Sequence, residues 1–386
     1  MSARISIFRT TPRIVMGPGS VAGVGKEALD LGARRVLVVT DPGIVDAGLL
    51  DPVRQSLEAA GLEFSLFSEV APDPRYQTVK TCLGVLEGDK PDCVIGLGGG
   101  SPIDIAKTVA VMLNNAGDIS DYCGVDLVPK AGAPTIIIPT TAGTGSEVTP
   151  IAILSDEQEK LKKGVVSPHL MPRVAVLDPE LTVGLPPAIT AATGMDALIH
   201  AIEAYTSVGA TGMTDMLAAR AIELIGDNLR TAYARGHDLQ AREAMLEGSL
   251  LAGIAFANAG VTAVHAFAYP IGAEFHIPHG VANTLMLAPV MRFNLVGNLI
   301  KFAEVAEFMG QPVEGLSLRE AAEMAVEAVW ELADDLGVPK SLKQFGVTEE
   351  HLPALAQGVM KVTRLLANNP RTITAADAEK IYRQAL

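Results

Sequence analysis

At Gly184-Leu185-Pro186-Pro187 the chain changes character, and that break dictates its architecture. Ahead of it, short β-branched runs alternate with amphipathic stretches, the pattern of β/α units on a parallel sheet. Val36–Thr40, Cys93–Leu97 and Thr135–Ile138 are predicted buried strands, with Pro150–Leu154 and Val174–Leu177 closing this half. Ala47–Ala60, Arg75–Gly88 and Pro102–Asn114 are the predicted helices between them. Beyond the break, Ala, Leu, Glu and Met recur at helical spacing almost to the end, and no strand pattern stands out. Helices are predicted over Ala188–Thr206, Asp215–Ala234, Leu239–Ala257, Glu320–Asp335 and Ala375–Ala385. The expectation is an α/β domain over residues 1–184 and an all-helical domain over residues 185–386.

Charge narrows the partners. Lys and Arg number 30 against 44 Asp and Glu, a net charge of −14, and no basic run of five occurs. That argues against nucleic acid or an anionic membrane as partner. With 49% hydrophobic and 19% charged residues, the chain is globular and core-rich. Cys82, Cys93 and Cys123 are odd in number and lack CxxC spacing, which excludes a disulfide framework and points to the cytoplasm. The start, MSARISIFRT, has no apolar h-region, so no signal peptide is expected. From Gly248 to Ala273 there is no Asp, Glu, Lys or Arg, enough length to cross a bilayer. Its many Gly and Ala, with Asn258, His265 and Pro270, favour a buried helix of a soluble protein.

Two loops carry donor chemistry. The strand Cys93–Leu97 runs into Gly98-Gly99-Gly100-Ser101-Pro102 and then a helix. The glycines allow close backbone approach, and the helix start favours a phosphate or pyrophosphate. A tight strand-to-helix turn without ligand is the alternative, since GxGxxG is absent. After Thr135–Ile138 comes PTTAGTGSEVT, Pro139–Thr149, rich in hydroxyl and N–H donors but lacking the GK[ST] ending of a P-loop. A polar surface loop is its alternative; two such loops at strand ends of one sheet favour a nucleotide crevice. Asp41 ends the strand Val36–Thr40. It is either a ribose acceptor that selects NAD over NADP or a turn-former before Pro42.

Asp196 and His200, at i and i+4 on a predicted helix, project from one face. His265, His276 and His279 crowd the uncharged region that follows. An Asp with three His suits Fe(II) or Zn(II) with room for a substrate oxygen, whereas each His alone reads as an ordinary core or surface residue.

Together these segments resemble the iron-containing (group III) alcohol dehydrogenase family. GGGSPID (Gly98–Asp104), PTTAGTGSEVT (Pro139–Thr149), ATGMDALIHAIEAY (Ala192–Tyr205) and the segment from His265 to Gly280 ending in IPHG carry the likeness. RIVMGPGSV near the start and ANNPRTITAADAEKIYRQAL at the end extend it over the whole chain. Within the family, the chain is similar to lactaldehyde reductases and propanediol dehydrogenases.

The resemblance implies a Rossmann-like dinucleotide-binding domain plus an all-α metal-binding domain, the dehydroquinate synthase-like architecture. It implies catalysis through a metal held by Asp196, His200, His265 and His279. It implies NAD(H) contacts at Asp41, Asp73, Gly99, Gly100, Ser101, Thr140, Thr141, Thr144, Thr149, Lys163 and Leu181. Ile151, Ile153, Phe256, Tyr269 and Leu366 are implied near the substrate. Many relatives carry a second histidine four residues after the third ligand, whereas this chain has Tyr269. The implied reaction is hydride transfer between a small primary alcohol or diol and its aldehyde, with NAD(H) and Fe(II), or Zn(II), in a homodimer or a larger homo-oligomer. A zinc-dependent polyol dehydrogenase of the glycerol type and a dehydroquinate synthase-like lyase are the readings that compete with it.

Overall fold

The computed structural model describes residues 5–86, 88, 90–156 and 161–386. It divides into two compact units, Thr10–Gly184 and Leu185–Leu386 with residues 5–9. The first unit carries strands β1 (Arg13–Met16), β2 (Arg35–Val39), β3 (Glu63–Phe67), β4 (Cys93–Gly98), β5 (Gly124–Val125), β6 (Thr135–Pro139), β7 (Ile151–Asp156), β8 (Leu161–Val166) and β9 (Val174–Leu177). Its helices are α1 (Val24–Asp30), α2 (Pro42–Asp46), α3 (Asp51–Ala59), α4 (Tyr76–Gly84) and α5 (Gly100–Met112).

Six strands form one parallel sheet in the order β1-β9-β6-β4-β2-β3. Successive residues of a strand face opposite sides. Along β2, Leu37 and Val39 enter one core, shared with Val94 and Ile137, while Val36 and Val38 enter the other, shared with Ile95 and Ile138. Both faces are thus apolar, as a parallel sheet covered by helices requires. From β2 the chain moves outward to β3, then returns to the other side of β2 for β4, so the strand order reverses between β2 and β4. Such a switch point is where ligands bind in open α/β sheets.

Several segments depart from expectation. Edge strands β1 and β3 carry no uninterrupted buried run, because much of each is exposed. A second sheet, β5-β8-β7, was not read from the sequence; β7 and β8 pair antiparallel. The predicted helix Ala47–Ala60 starts only at Asp51, since Gly48 at φ 71° ends the preceding turn. The predicted helix Arg75–Gly88 spans Tyr76–Gly84, and Glu87 lies outside the described residues.

The second unit contains α6 (Pro187–Thr206), α7 (Gly212–Ala234), α8 (Leu239–Ala259), α9 (Ala263–Phe275), α10 (His279–Asn294), α11 (Leu299–Phe308), α12 (Leu318–Asp335), α13 (Leu352–Met360), α14 (Thr363–Leu366) and α15 (Ala375–Gln384). No strand occurs among its described residues. The uncharged stretch becomes the end of α8 and most of α9, bent by 101° at the break between them. No single helix among the described residues is long and apolar enough to cross a membrane; only that bent pair meets the length and composition. Most of its residues from Ala252 to Ala268 are buried, as a core helix pair requires.

Candidate active site

Asp41, the glycine loop and the threonine loop follow β2, β4 and β6, three neighbours in the sheet. Hydrogen bonds continue past the strand ends: Thr40 Oγ1 donates to the Leu97 carbonyl at 2.8 Å, and the Thr140 N–H to the Gly98 carbonyl at 3.0 Å. Gly98 has φ 141°, and a Cβ there would stand 2.7 Å from Pro102 Cγ and 3.2 Å from Asp41 Oδ2. Only glycine satisfies both conditions. A Cβ on Gly100 would stand 3.1 Å from Thr144 Cγ2, and one on Gly99 would meet Thr141 at 3.7 Å. The two loops therefore face each other across bare backbone, a cradle suited to a diphosphate at the N-terminus of α5. Ser101 sits half-buried in the first turn of α5.

Asp41 takes the turn-forming role, one of the two readings its sequence position offered. Its Oδ1 accepts from the Ile44 N–H at 3.1 Å, capping α2 with Pro42 in the first turn. Oδ2 remains on the side of Gly98.

Beneath the loops is a polar cluster that sequence inspection missed. Lys107 is fully buried, and its Nζ donates to Ser146 Oγ (2.8 Å), the Thr149 carbonyl (2.9 Å) and Oγ1 (3.2 Å), and the Ile151 carbonyl (2.9 Å). Asp104, one turn earlier on α5, accepts from Ser146 Oγ and the Ile153 N–H, both at 2.8 Å. Burial lowers the Lys107 ammonium to about 8 against the pull of Asp104 and Glu147. Burial likewise raises the Glu147 carboxyl to about 7, and neither of its oxygens has a hydrogen-bond partner. Thr149 is thus tied from below by Lys107. Of the remaining predicted coenzyme residues, Asp73 has φ 52° and pairs with Lys162 at 2.5 Å. Lys163 pairs with Asp156 at 2.9 Å, and Leu181 is buried in a core cluster beside the sheet.

In the helical unit Asp196, His200 and Glu203 fall at i, i+4 and i+7 of α6, one face of a helix with about 3.6 residues per turn. His265 lies in the first turn of α9, and His279 is the first residue of α10. His276, the other histidine of the crowded segment, is exposed at the left-handed end of α9 (φ 53°). A Cβ on Gly280 would stand 2.2 Å from the Ala192 carbonyl oxygen, so this glycine lets the start of α10 reach α6.

The convergence is tight. Asp196 Oδ1 lies 3.8 Å from His265 Nε2 and 3.9 Å from His279 Nε2, and His265 Nε2 lies 3.0 Å from His200 Nε2. Asp196, His265 and His279 meet the geometry of a metal-holding group. Behind them, Glu203 Oε2 bonds His265 Nδ1, while Oε1 accepts from Thr262 Oγ1 (2.6 Å) and the Val264 N–H (2.7 Å). Asn283 Nδ2 donates to Asp196 Oδ1 at 2.7 Å and lies 3.2 Å from His279 Nε2. Burial opposes the ionised Asp196, yet the three histidines and Asn283 lower its carboxyl below the usual range. With the His265 proton on Nδ1, its Nε2 lone pair faces the cluster. Such an N/O donor set, held from behind by a carboxylate, fits a divalent transition metal. Glu203 and Asn283 were readable only as spacings, seven residues after Asp196 and four after His279.

Around the cluster, the Phe256 ring stacks on His200 at 4.3 Å, and the Tyr269 ring lies 6.2 Å from that of His279. Leu366 is half-buried on α14. In the other unit Ile151 and Ile153 occupy one face of β7, opposite the buried Ala152 and Leu154.

A doubly covered parallel sheet with facing donor loops and, in the same chain, a helical unit with a candidate metal site are the features of a metal-dependent dehydrogenase. The profile for iron-containing alcohol dehydrogenases matches residues 11–179, and that for the C-terminal part of the Fe-containing family matches 190–386. The 1,3-propanediol dehydrogenase of Klebsiella pneumoniae is 41% identical over 371 residues, 96% of each chain. Long-chain-alcohol dehydrogenase 1 of Geobacillus thermodenitrificans is 43% identical over 382 residues, 97% of this chain and 96% of that one. A crystal structure of 1,3-propanediol oxidoreductase superposes with a TM-score of 0.97 at 40% identity, covering 99% of this chain and 100% of the other. The chain belongs to the iron-containing alcohol dehydrogenase family. It is an oxidoreductase, and neither the glycerol-type zinc enzyme nor the lyase is favoured by these matches.

Proposed function

We propose that this enzyme interconverts small primary alcohols or diols and their aldehydes, using NAD(H) and a divalent metal, Fe(II), held by Asp196, His200, His265 and His279. The observation that carries the reading is the convergence of these four side chains, three of them buried and His279 half-buried, backed by Glu203 and Asn283. When bound, the ion would supply Lewis acidity toward an alcohol oxygen and the nicotinamide would supply the hydride acceptor. The residues do the rest. Asp196 brings negative charge to the ion, Glu203 orients His265, and the Phe256 ring covers His200 against water. Zn(II) would accept the same N/O donors; the family likeness argues for iron.

For the coenzyme, we place the diphosphate over Gly99, Gly100 and Ser101, with Thr140, Thr141, Thr144 and Thr149 lining the facing loop. Asp41 then receives the ribose. Asp73, Lys163 and Leu181 belong to the same proposal on family likeness alone. A 2′-phosphate would face Asp41, a like-charge contact, so at least about tenfold preference for NAD over NADP is expected, which needs only about 1.4 kcal/mol. Initial rates with each coenzyme check this: equal kcat/KM refutes it, and Asp41→Gly should narrow the gap.

The test of the whole reading is an anaerobic assay of NADH formation with Fe(II) and an alcohol series. In the helical unit Phe256 and Leu366 are apolar and Tyr269 replaces an imidazole, so extra hydroxyls find few partners; Ile151 and Ile153 join the substrate residues on family likeness alone. An unpaired buried polar group costs about 1–3 kcal/mol, whereas an added methylene in an apolar pocket gains about as much. kcat/KM should rise from ethanol to butanol and be lower for glycerol than for 1-propanol. Should glycerol outperform 1-propanol, the pocket assignment falls and the polyol reading replaces it. The cytoplasm fits the three free cysteines, two of them buried, and the net charge of −14 fits a small-molecule partner rather than nucleic acid or membrane. A homodimer or its multiple is proposed on family likeness.

A further inference from the structure

Glu203 is 2% exposed, is not among the proposed ligands, and yet meets three donors at once. Thr262 Oγ1 and the Val264 N–H reach one carboxylate oxygen, and His265 Nδ1 reaches the other. Thr262 and Val264 are the N-cap and second residue of α9, so the carboxylate also sits at the positive end of that helix. Every side of Glu203 therefore needs an acceptor. A carboxylate is acceptor-only at both oxygens; an amide of the same shape presents an NH₂ on one side.

We propose that Glu203 is the positioning residue of the metal centre: by accepting at both oxygens it keeps the His265 proton on Nδ1 and turns the Nε2 lone pair toward Asp196, His200 and His279. This inference rests on the metal reading above. It follows that Glu203→Gln cannot be conservative. If its amide oxygen serves Thr262 and Val264, its NH₂ faces His265 Nδ1 and drives the ring to the tautomer with hydrogen on Nε2, where a ligand lone pair is required. If the amide is reversed, its NH₂ opposes the Val264 N–H and the start of α9 shifts. Either way the histidine is mispresented, with no change in the four ligands themselves. Asp196 and Glu203 also together balance the charge of a buried divalent ion, which a Gln variant leaves half-compensated.

The experiment is a Co(II) titration of the metal-depleted full chain against a chromophoric chelator, with the cobalt visible spectrum recorded at saturation. NADH binding, followed by its fluorescence, is measured on the same samples. Glu203→Gln is expected to weaken metal binding about 10–100-fold, the usual cost of losing an outer partner of a ligating histidine. Its cobalt bands should shift, and NADH affinity should stay at the wild-type value because the coenzyme loops lie in the other unit. Glu203→Asp keeps two acceptor oxygens and should fall between wild type and Gln; should the Gln variant not fold, the Asp variant decides on the same titration. Wild-type metal affinity and an unshifted spectrum in the folded variant overturn the proposal. A wild-type chain that binds no cobalt at all would sink the metal reading instead, a separate outcome.

Discussion

His265→Ala and His279→Ala are expected to lose bound metal and nearly all turnover while NADH still binds. Losing a partner behind a ligand costs about 10–100-fold, so losing a ligand should cost more, above about 10²-fold in kcat. The two variants differ in what else they disturb. His265 is 3% exposed, and its removal leaves Glu203 Oε2 buried without its imidazole donor. Leaving a buried carboxylate without one of its hydrogen-bond donors costs about 1–3 kcal/mol, so this variant should also melt earlier. His279 is 37% exposed at the start of α10 and carries no such buried partner charge beyond Asp196, which Asn283 continues to hold. It therefore isolates the metal effect from the stability effect. Metal content by elemental analysis, NADH fluorescence and initial rates form the check. Full metal occupancy with a normal rate in both variants would falsify the ligand assignment.

How much of this was legible before folding depended on what each residue's neighbours in sequence could report. Strands β2, β4 and β6 were readable because both faces of each are buried, which forces an unbroken apolar run. β1 and β3 lie at sheet edges and mix polar with apolar residues, so their sequences resemble loops. That Asp196 and His200 share one helix face was readable from their spacing, although only the neighbouring histidines made the pair suggest a metal. His265, His276 and His279 were not separable by any local rule, since the turn between α9 and α10 decides which converge. The structure turns His276 outward and brings the other two to α6. Glu203 carried the same face spacing as the ligands, but a carboxylate on a helix is usually solvated, and nothing in its own helix reveals the start of α9 beside it. Lys107 was harder still. An Asp and a Lys three apart on a helix normally mark a wet face; here that face lies beneath the threonine loop.

Lys107→Met is expected to destabilise the first unit by about 3–5 kcal/mol, the cost of leaving a buried counter-charge alone. Asp104 would keep its bonds from Ser146 and the Ile153 N–H but lose the ammonium that offsets its burial, and burial already raises its carboxyl. The buried Thr149 carbonyl and the Ile151 carbonyl lose a donor as well. Met matches the apolar stem of Lys, so packing is nearly conserved and the loss reports the polar contacts. The consequence extends to function: Ser146 and Thr149 belong to the loop facing Gly99 and Gly100, and without Lys107 that loop loses its anchor. NADH affinity should fall, although Lys107 itself is too buried to touch a coenzyme. Adding Asp104→Asn removes the stranded charge, so the double variant should recover part of the stability. It should not recover NADH affinity, because the ties to Thr149 stay broken. Denaturant titrations by circular dichroism and NADH fluorescence on the single and double variants separate the two effects. A Lys107→Met protein within about 1 kcal/mol of wild type, with unchanged NADH affinity, would show that the buried ammonium is incidental to the loop.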